Sequence, residues 1–183
     1  IAKDSFLRFL KPSWHRRKQL IEDLKRGRIT EEELPKDVLT VLLKNRASLK
    51  LNDSDIEREV CFYLQAGSHS TANSLVHAAN EILNWSKDIA LLAGNPNLMQ
   101  KCVHESLRLH PASPIAARKV TEPTLIAGRF FDKGDELELD LASANRDVAI
   151  FGRDSNVFNP MREIKNEKAQ LFGLTFGAGV HLC

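Results

Sequence analysis

The last ten residues of the chain, 174–183, combine the residue types from which a metal-ligand loop is built. Gly177 and Gly179 allow positive φ angles and a close approach of the backbone to a flat partner. Phe176 adds an aromatic face beside that approach, and Cys183 ends the segment with a thiol. A thiolate can ligate iron, and its electron donation favours O–O cleavage when the iron is held in haem. The loop therefore predicts a thiolate ligand at Cys183.

The spacing Phe176-x-x-Gly179-x-His181-x-Cys183 resembles the haem-binding signature of the cytochrome P450 superfamily. This resemblance implies that haem b, iron protoporphyrin IX, is the cofactor and that Cys183 is its proximal metal ligand. It also implies that Phe176, Gly177 and Gly179 border the cofactor and that His181 contacts a propionate. We expect these roles on the resemblance alone.

A second stretch lies in the middle of the chain, where residues 60–80 contain no Asp, Glu, Lys or Arg but many uncharged polar side chains. A long helix of that composition is expected to cross a protein interior. Ala66 and Gly67 place minimal bulk at one point of it, although Gly costs a helix about 1 kcal/mol relative to Ala. The pair therefore indicates a partner that needs room there.

The segment from Ala66 to Thr71 resembles the P450 motif Ala/Gly-Gly-x-acid-Thr-Thr/Ser, which lies over the oxygen-binding face of the haem. By this resemblance Ala66 and Gly67 form the oxygen groove. His69, Ser70 and Thr71 are the candidate proton relay, with His69 in the place of the acid and Ser70 in the place of the Thr. Histidine carries a proton near neutral pH, since its unperturbed pKa is about 6.5. The alternative is that His69 is a hydrogen-bonded interior histidine.

A third stretch, Glu105-Ser-Leu-Arg108-Leu-His-Pro111, places an acid and an Arg three residues apart on one helix face, within reach of an ion pair. It resembles the Glu-x-x-Arg helix of the P450 superfamily, including the Pro that ends it. The resemblance implies that Glu105 and Arg108 are structural residues and not a catalytic acid and base. In the family a basic residue often completes this pair. Val157 occupies its place here, and Arg162 is the candidate to replace it.

The extended segment after Pro111 carries further implied contacts. By resemblance Arg118 faces a haem propionate, where a guanidinium pairs well with a carboxylate. Ile115 and Ala116 are then expected to border the substrate space.

Composition excludes several classes of function. A net charge of +2 from 26 basic and 24 acidic residues gives no extended cationic field, so neither nucleic acid nor a membrane surface is an expected partner. Three cysteines form no disulfide framework and favour a reducing, cytoplasmic setting. Cys61 and Cys102 are expected to pack as small hydrophobic side chains. No segment is apolar enough to span a bilayer.

The elements that must position these residues are mostly helices. Pro12 and Gly27 predict two amphipathic helices before residue 28, and Thr30, Pro35, Asn52 and Asn95 begin or precede further helices. Gly128 and Gly134 predict an antiparallel hairpin system. The fold class is therefore mainly α with a small β part, a partial P450 fold. We expect residues 1–183 to form a single partial domain that lacks an N-terminal part and the helix after Cys183.

The resemblance implies a soluble, bacterial-type haem-thiolate monooxygenase that inserts one oxygen atom from O₂ into a small apolar substrate. Electrons would come from a ferredoxin- or flavodoxin-type protein, because no flavin or iron–sulfur motif is present. Two alternatives remain open. The altered residues His69 and Ser70 suit a peroxygenase or a hydroperoxide-rearranging enzyme, and a cofactor-free helical interaction domain would use the polar helix as a buried network. The fragment alone is expected to be inactive.

Overall fold

The computed structural model describes residues 2–164, 166 and 168–183, except for the side chains of Ala2, Lys3 and His181. In this part the chain is mainly α-helical with two small antiparallel sheets, as the sequence predicts. The helices are α1 (Ala2–Lys25), α2 (Val38–Asn45), α3 (Asp53–Trp85), α4 (Ile89–Ala93), α5 (Pro96–Leu109), α6 (Leu141–Ala144) and α7 (Val148–Phe151). The strands are β1 (Ile115–Lys119), β2 (Thr124–Ile126), β3 (Arg129–Phe131) and β4 (Glu136–Asp140).

Two compact units divide the chain after Ser68, and α3 runs through the division. The expectation of a single partial domain stays a prediction. Within the first unit, the core joins one face of α1 to α2 and to the first turns of α3; its buried side chains are Leu10, Trp14, Ile21, Leu34, Leu39, Leu43 and Ile56.

Pro12 lies inside α1, so the prediction that it separates two helices is wrong. A Pro in a helix interior removes one backbone hydrogen bond and costs about 3 kcal/mol. Leu10 and Trp14 flank it and are both buried in the core of the first unit. Burial of large apolar side chains stabilises by about 1.5–3 kcal/mol each, which offsets the cost of the Pro. The helix ends as expected before Gly27, which has a φ of 68°.

Side-chain caps set the starts of α3 and α5 and agree with the sequence pattern. Asn52 and Asp55 cap α3 reciprocally: the Asp55 N–H donates to Asn52 Oδ1 at 3.0 Å, and the Asn52 N–H donates to Asp55 Oδ2 at 2.9 Å. Asn95 caps α5 through a hydrogen bond from the Leu98 N–H to its Oδ1 at 3.1 Å. Pro96 occupies the first turn, where its missing N–H costs nothing.

The two sheets are the expected hairpin system. β1 pairs with β4, with Ile115 opposite Asp140 and Arg118 opposite Leu137. β2 pairs with β3, and their turn is closed by Ala127 and Gly128, which both have positive φ.

The core of the second unit is small. Its buried side chains come from α3, α4 and α5, and they are Ala78, Ile82, Leu92 and Cys102. Burial of Cys102 agrees with its expected role as a small hydrophobe, and desolvation raises the pKa of its thiol. Among the described residues no helix is long and apolar enough to cross a membrane.

The middle of α3 is more open than expected for a helix that crosses an interior. Phe62, Leu64, Leu75 and Val76 are 58–68% exposed, and Cys61 is exposed rather than packed. These large apolar side chains therefore lie open to solvent on more than one side of α3 in the described part of the chain. The sequence predicts a helix that crosses an interior, but it does not say which part of a protein covers it.

Candidate functional site

The acid and Arg of the third sequence motif form a fully buried ion pair on α5. Arg108 Nε donates to Glu105 Oε2 and Arg108 Nη2 to Glu105 Oε1, both at 2.7 Å. The Arg108 side chain is 0% exposed and that of Glu105 is 4% exposed. A bidentate guanidinium–carboxylate pair of this geometry combines charge with directional hydrogen bonds.

The remaining nitrogen of Arg108 reaches the irregular segment that follows the sheets. Arg108 Nη1 donates to the carbonyl oxygens of Asn145 at 2.6 Å and of Ser155 at 2.7 Å. The guanidinium also lies over the ring of Phe151, 5.0 Å from its centroid. A buried charge is tolerated only when its hydrogen-bonding capacity is met, and here every nitrogen of the guanidinium has a partner.

Arg162 completes the pair, as the sequence suggested. Its Nε donates to Glu105 Oε1 at 3.1 Å, and its Nη1 donates to Asp154 Oδ1 at 2.7 Å. Nη2 donates to the carbonyl of Val157 at 2.9 Å, so Val157 contributes its backbone while its side chain is exposed. The hydrogen bond from Arg162, with a second from Asn159, lowers the pKa of Asp154 below its ordinary value.

Asn145 links this network to the segment that leads into the cysteine loop. Its Nδ2 donates to the carbonyl of Arg108 at 3.0 Å and to Thr175 Oγ1 at 3.2 Å, and its Oδ1 accepts from the Leu174 N–H at 2.6 Å. Thr175 Oγ1 in turn donates to the carbonyl of Leu107 at 2.6 Å. The amide is 0% exposed. The loop entrance is therefore fixed to the end of α5 by one buried side chain.

Gly173 is required at this junction. Its φ is 62°, and a Cβ built on it would lie 2.2 Å from Asn145 Oδ1. Sequence reasoning missed the role of both residues. The signal available was the segment Ala144-Asn145-Arg146-Asp147, which resembles a P450 signature, but an Asn before an irregular stretch looks like a turn residue.

The cysteine loop itself is a series of tight turns. Gly177 and Gly179 have φ angles of 74° and 76°, which confirms the positive φ that their residue type allows. The Gly177 N–H donates to the carbonyl of Leu174 at 2.8 Å, and the Cys183 N–H donates to the carbonyl of Phe176 at 3.0 Å. The thiol of Cys183 is free and exposed. The sulfur of Cys183 therefore faces outward, and the hydrogen bond from its N–H to the Phe176 carbonyl closes the loop.

Aromatic side chains support the loop from α5. The ring of Phe176 meets that of Phe172 edge to face at 5.0 Å between centroids, and Phe172 meets His104 of α5 in the same manner at 5.4 Å. Such contacts add about 0.5–1.5 kcal/mol each beyond the burial of area. Phe176 is therefore held at both its backbone and its ring.

The donor set of the loop fits haem better than a bare metal ion. The described residues contain no group of three or more His, Cys, Asp or Glu side chains that could hold an ion. One thiolate suffices only when the metal brings its other ligands with it, as iron does in haem. A Cβ on Gly179 would meet nothing within 4 Å, and Val180 and Leu182 are 96% and 61% exposed. The loop therefore offers an open, apolar face beside the thiol.

The predicted propionate and substrate contacts lie on β1 and in the cysteine loop. Arg118 on β1 is exposed and donates through Nη1 only to the adjacent carbonyl of Ala117 at 2.8 Å among the hydrogen bonds described. Ile115 is 52% exposed and Ala116 is partly buried. The side chain of His181 lies outside the described part of the chain, so its predicted propionate contact is a prediction.

The candidate relay residues lie consecutively on α3. Gly67 has open space around it, since a Cβ would meet nothing within 4 Å. His69 Nε2 is 3.3 Å from Asn73 Nδ2, one turn further along the helix. Ser70 is partly buried and Thr71 is exposed. The structure shows these residues close in sequence and on one helix, and their assignment to oxygen binding and proton transfer remains a prediction.

Comparison with known proteins agrees with this arrangement. The sequence model of the family described as Cytochrome P450 matches residues 94–183. The chain is 32% identical over 171 residues to cytochrome P450-SU2 of Streptomyces griseolus, covering 90% of this chain and 39% of that protein. It is 29% identical over 147 residues to a biotin biosynthesis cytochrome P450 of Bacillus subtilis, covering 80% of this chain and 35% of that protein.

Solved structures give the same result. A crystal structure of P450BioI, in complex with hexadec-9Z-enoic acid ligated acyl carrier protein, matches with a TM-score of 0.69 and 30% identity over 91% of this chain. Residues 94–183 match the cytochrome P450 family, and the alignments with its members extend over most of the chain. The ligand-free P450 monooxygenase TamI matches all of this chain with a TM-score of 0.76 at 24% identity, which shows the fold alone.

The chain spans 35–40% of the length of these P450 relatives. Cytochromes P450 generally act as monooxygenases that use haem. The buried Glu105–Arg108–Arg162 network and the Asn145 link are the local structure in which this P450 segment holds its cysteine loop.

Proposed function

We propose that the protein of which this chain is a part is a haem-thiolate monooxygenase with Cys183 as the axial ligand of haem b. The observation that carries the proposal is the exposed Cys183 thiol in a loop of two positive-φ glycines, which Asn145 fixes to the buried Arg108 network. When bound, haem supplies the activation of O₂ for insertion of one oxygen atom into a C–H or C=C bond of a small apolar substrate.

The residues of the chain itself hold and orient this group. Cys183 supplies the thiolate, and the positive φ angles of Gly177 and Gly179 let the backbone approach a flat ring. Phe176 presents an aromatic face. Arg118 is exposed with most of its guanidinium donors uncommitted in the described hydrogen bonds, which suits a pairing with a propionate. We assign a second propionate contact to His181.

On α3, Ala66 and Gly67 leave space for dioxygen, and His69, Ser70 and Thr71 deliver protons. The open surroundings of Gly67 support the first assignment. Asn73 Nδ2 lies 3.3 Å from His69 Nε2, and an amide nitrogen can only donate, so in this contact His69 Nε2 accepts the hydrogen bond.

We further propose an apolar substrate bordered by Ile115 and Ala116, and a separate ferredoxin- or flavodoxin-type electron donor. The P450BioI relative was solved with a fatty acid on an acyl carrier protein, which makes a fatty acyl chain the first substrate class to test.

We also propose the cytoplasm as the compartment. The three cysteines of this chain are free thiols, in keeping with that setting.

A second candidate function is a haem-thiolate peroxygenase or hydroperoxide-rearranging enzyme. The replacement of the family's acid and Thr by His69 and Ser70 favours it, because peroxide chemistry has less need of an acid–hydroxyl pair at these positions. Oxygen uptake coupled to NAD(P)H oxidation in the presence of reductase supports the monooxygenase. Turnover with hydrogen peroxide and no coupled oxygen uptake supports the peroxygenase.

The deciding experiment is the absorption spectrum of the full-length protein, reduced with dithionite and treated with carbon monoxide. We expect a strongly red-shifted Soret band that disappears in Cys183→Ser and persists in Cys61→Ser, the matched control with an exposed thiol on α3. A band that survives in Cys183→Ser contradicts ligation by Cys183. The absence of any haem band overturns both enzyme proposals and leaves a cofactor-free helical interaction domain.

We propose that residues 1–183 alone are inactive, because they span well under half of the P450 relatives they match. Titration of the isolated segment with haem tests this. We expect weak or substoichiometric binding, and tight one-to-one binding with the thiolate spectrum contradicts the proposal.

A further inference from the structure

A polar pocket of about 270 Å³ lies between α3, the end of α5 and the segment around α6. At about 30 Å³ per molecule, this volume has room for several waters. The lining residues with polar side chains are Asn73, His77, His110 and Arg146. None of these is part of the cysteine loop or of the Glu105–Arg108 network, so the pocket is a separate cluster of titratable groups.

Two imidazole rings in this pocket stack against each other. The rings of His77 and His110 are 4.5 Å apart between centroids and inclined by only 4°. Two imidazolium ions in this position would repel each other, whereas one charged and one neutral ring are compatible. Histidine is the side chain that exchanges a proton between pH 5 and 8. The stack therefore favours a single exchangeable proton on the pair.

Glu81 determines which nitrogen of His110 takes part in that exchange. His110 Nε2 lies 2.7 Å from Glu81 Oε1, and a carboxylate can only accept a hydrogen bond, so Nε2 carries the hydrogen. The nitrogen left to gain and lose a proton is Nδ1. A carboxylate behind one imidazole nitrogen also stabilises the protonated ring.

Two charged side chains from neighbouring elements lie beside the histidine pair. Glu81 comes from α3, and Arg146 comes from the turn after α6. Arg146 donates through Nη1 to the carbonyl of Ala142 at 3.0 Å and through Nη2 to the carbonyl of Leu109. Its positive charge opposes double protonation of the histidine pair, and the carboxylate of Glu81 supports single protonation. Both effects favour a pair that holds one proton.

The same face of α3 connects the pocket to the candidate relay. His69, Asn73, His77 and Glu81 follow at intervals of four residues, which places them on one face over roughly 18 Å at 1.5 Å per residue. Asn73 contacts His69 and also lines the pocket. Rotation of its amide by 180° would present Oδ1, which accepts a hydrogen from a protonated His69 Nε2. Asn73 can thus serve both forms of His69.

We propose that the His77–His110–Glu81 cluster is a proton-loading site that supplies His69 through pocket water and Asn73. This proposal rests on the monooxygenase function proposed above. Insertion of one oxygen atom, with reduction of the other to water, consumes two protons and two electrons per turnover, and the electrons come from the redox partner. The proton enters from solvent at His110 Nδ1 and leaves to pocket water, after which the pair is neutral again. His69 takes up a proton at Nε2, whose hydrogen then bonds to Asn73 Oδ1, and releases the hydrogen held on Nδ1.

The test uses the full-length holoenzyme with its reductase. The variants are His110→Gln, which keeps a donor for Glu81 but cannot titrate, and Glu81→Gln, which keeps the shape of the side chain. Asn80→Ala, at an exposed position of the same helix, is the control. We expect product formed per NAD(P)H to fall about three- to tenfold in both variants, less than the 10²–10⁴-fold typical for a direct acid, because the cluster acts one step away. In both variants, the product formed per NAD(P)H should also vary less with pH between 6 and 8 than it does in the parent protein.

A second measurement, by NMR, tests whether the cluster affects His69 in the absence of turnover. In the diamagnetic, carbon monoxide-bound protein, ¹⁵N signals of the His69 ring should shift in His110→Gln and Glu81→Gln and stay unchanged in Asn80→Ala. The proton-loading proposal alone is overturned if both variants keep the thiolate spectrum, the His69 signals and the product formed per NAD(P)H of the parent protein. Loss of the thiolate spectrum in the parent protein overturns the proposed function instead, so the two failures can be told apart.

Discussion

Two acid–Arg pairs with the same spacing occur on two helices of this chain and differ almost completely in their surroundings. Asp55 and Arg58 on α3 form an i,i+3 pair at 2.5 Å, with the Arg side chain 75% exposed. Glu105 and Arg108 on α5 form an i,i+3 pair at 2.7 Å, with the Arg side chain 0% exposed. The sequence pattern is the same, acid-x-x-Arg, in both places.

The difference shows that the partners around a pair, and not its spacing, decide what the pair does. Arg58 has solvent around it, and an exposed pair of this kind contributes little to stability. Arg108 additionally holds the carbonyl oxygens of Asn145 and Ser155, so it joins α5 to a segment about 40 residues away. A long-range connection of this kind gives the second pair its structural role.

The largest expected effect comes from removing the buried Arg. Arg108→Leu leaves the carboxylate of Glu105 and two carbonyl groups without their main partner, and we expect a loss of about 3–5 kcal/mol in the free energy of unfolding. The free energy of unfolding of Arg108→Lys should lie between those of the parent and of Arg108→Leu, because Lys keeps the charge but not the bidentate geometry. Denaturant unfolding of the full-length protein measures both.

Arg58→Leu is the matched control for that experiment, with the same substitution in a pair of the same spacing. We expect almost no change in its unfolding midpoint. Equal losses in Arg58→Leu and Arg108→Leu would contradict the view that burial and long-range partners separate the two pairs.

A smaller effect is expected at the junction that Arg108 organises. Gly173→Ala places a Cβ 2.2 Å from Asn145 Oδ1 at a φ of 62°. The left-handed backbone costs about 1–2 kcal/mol, and displacement of the Asn145 amide costs about 1–3 kcal/mol more. We expect a loss of about 2–5 kcal/mol in the free energy of unfolding, measured by denaturant unfolding.

Gly67→Ala on α3 is the control for that substitution, because Gly67 is helical and has open space around it. Ala is the better helix former by about 1 kcal/mol, so this variant should not be destabilised. If Gly173→Ala is equally harmless, the Asn145 junction has more freedom than its hydrogen bonds indicate.

The smallest expected effect concerns the acid of the exposed pair. The hydrogen bond from the Asn52 N–H is the largest cause of the lowered pKa of Asp55, ahead of the hydrogen bond from Arg58. A lowered pKa in the folded state contributes stability above the unfolded pKa of about 3.9, and this contribution is lost as the pH falls below about 4 through the folded pKa.

Arg58→Leu should therefore leave the pKa of Asp55 below its ordinary value, because the cap remains. A ¹³C NMR titration of the Asp55 carboxyl in the parent and in Arg58→Leu measures this. A return of the pKa to its ordinary value in the variant would show that the ion pair, and not the cap, is the main cause.

Local signals in the sequence predicted much of the fold. Caps at Asn52 and Asn95, the Pro that follows α5, and the glycine turns of the hairpins each depend on a few neighbouring residues, and the structure confirms them. The three motifs also identified the family. These features are predictable because residue type and local backbone geometry determine them.

Features that depend on distant partners could not be predicted in the same way. Pro12 looked like a helix end because its local cost is visible in sequence, whereas the core that offsets it is not. The role of Asn145 was not predicted, because its partners Arg108, Leu174 and Thr175 lie some 30 residues or more away in the sequence. Arg162 was the exception, since the missing basic residue at Val157 directed attention to it.

The link through Asn145 also bears on the conformational entropy of cofactor binding. Leu174 and Thr175 are held to Asn145, and the Cys183 N–H closes the loop onto Phe176, by hydrogen bonds within the chain itself. Ordering a free backbone costs about 1–2 kcal/mol per residue. A loop constrained at both ends by such bonds would lose less of this freedom on binding the proposed haem, so more of the interaction energy would be available for affinity. Loosening Asn145 should then weaken haem retention even where no residue that touches the haem has changed.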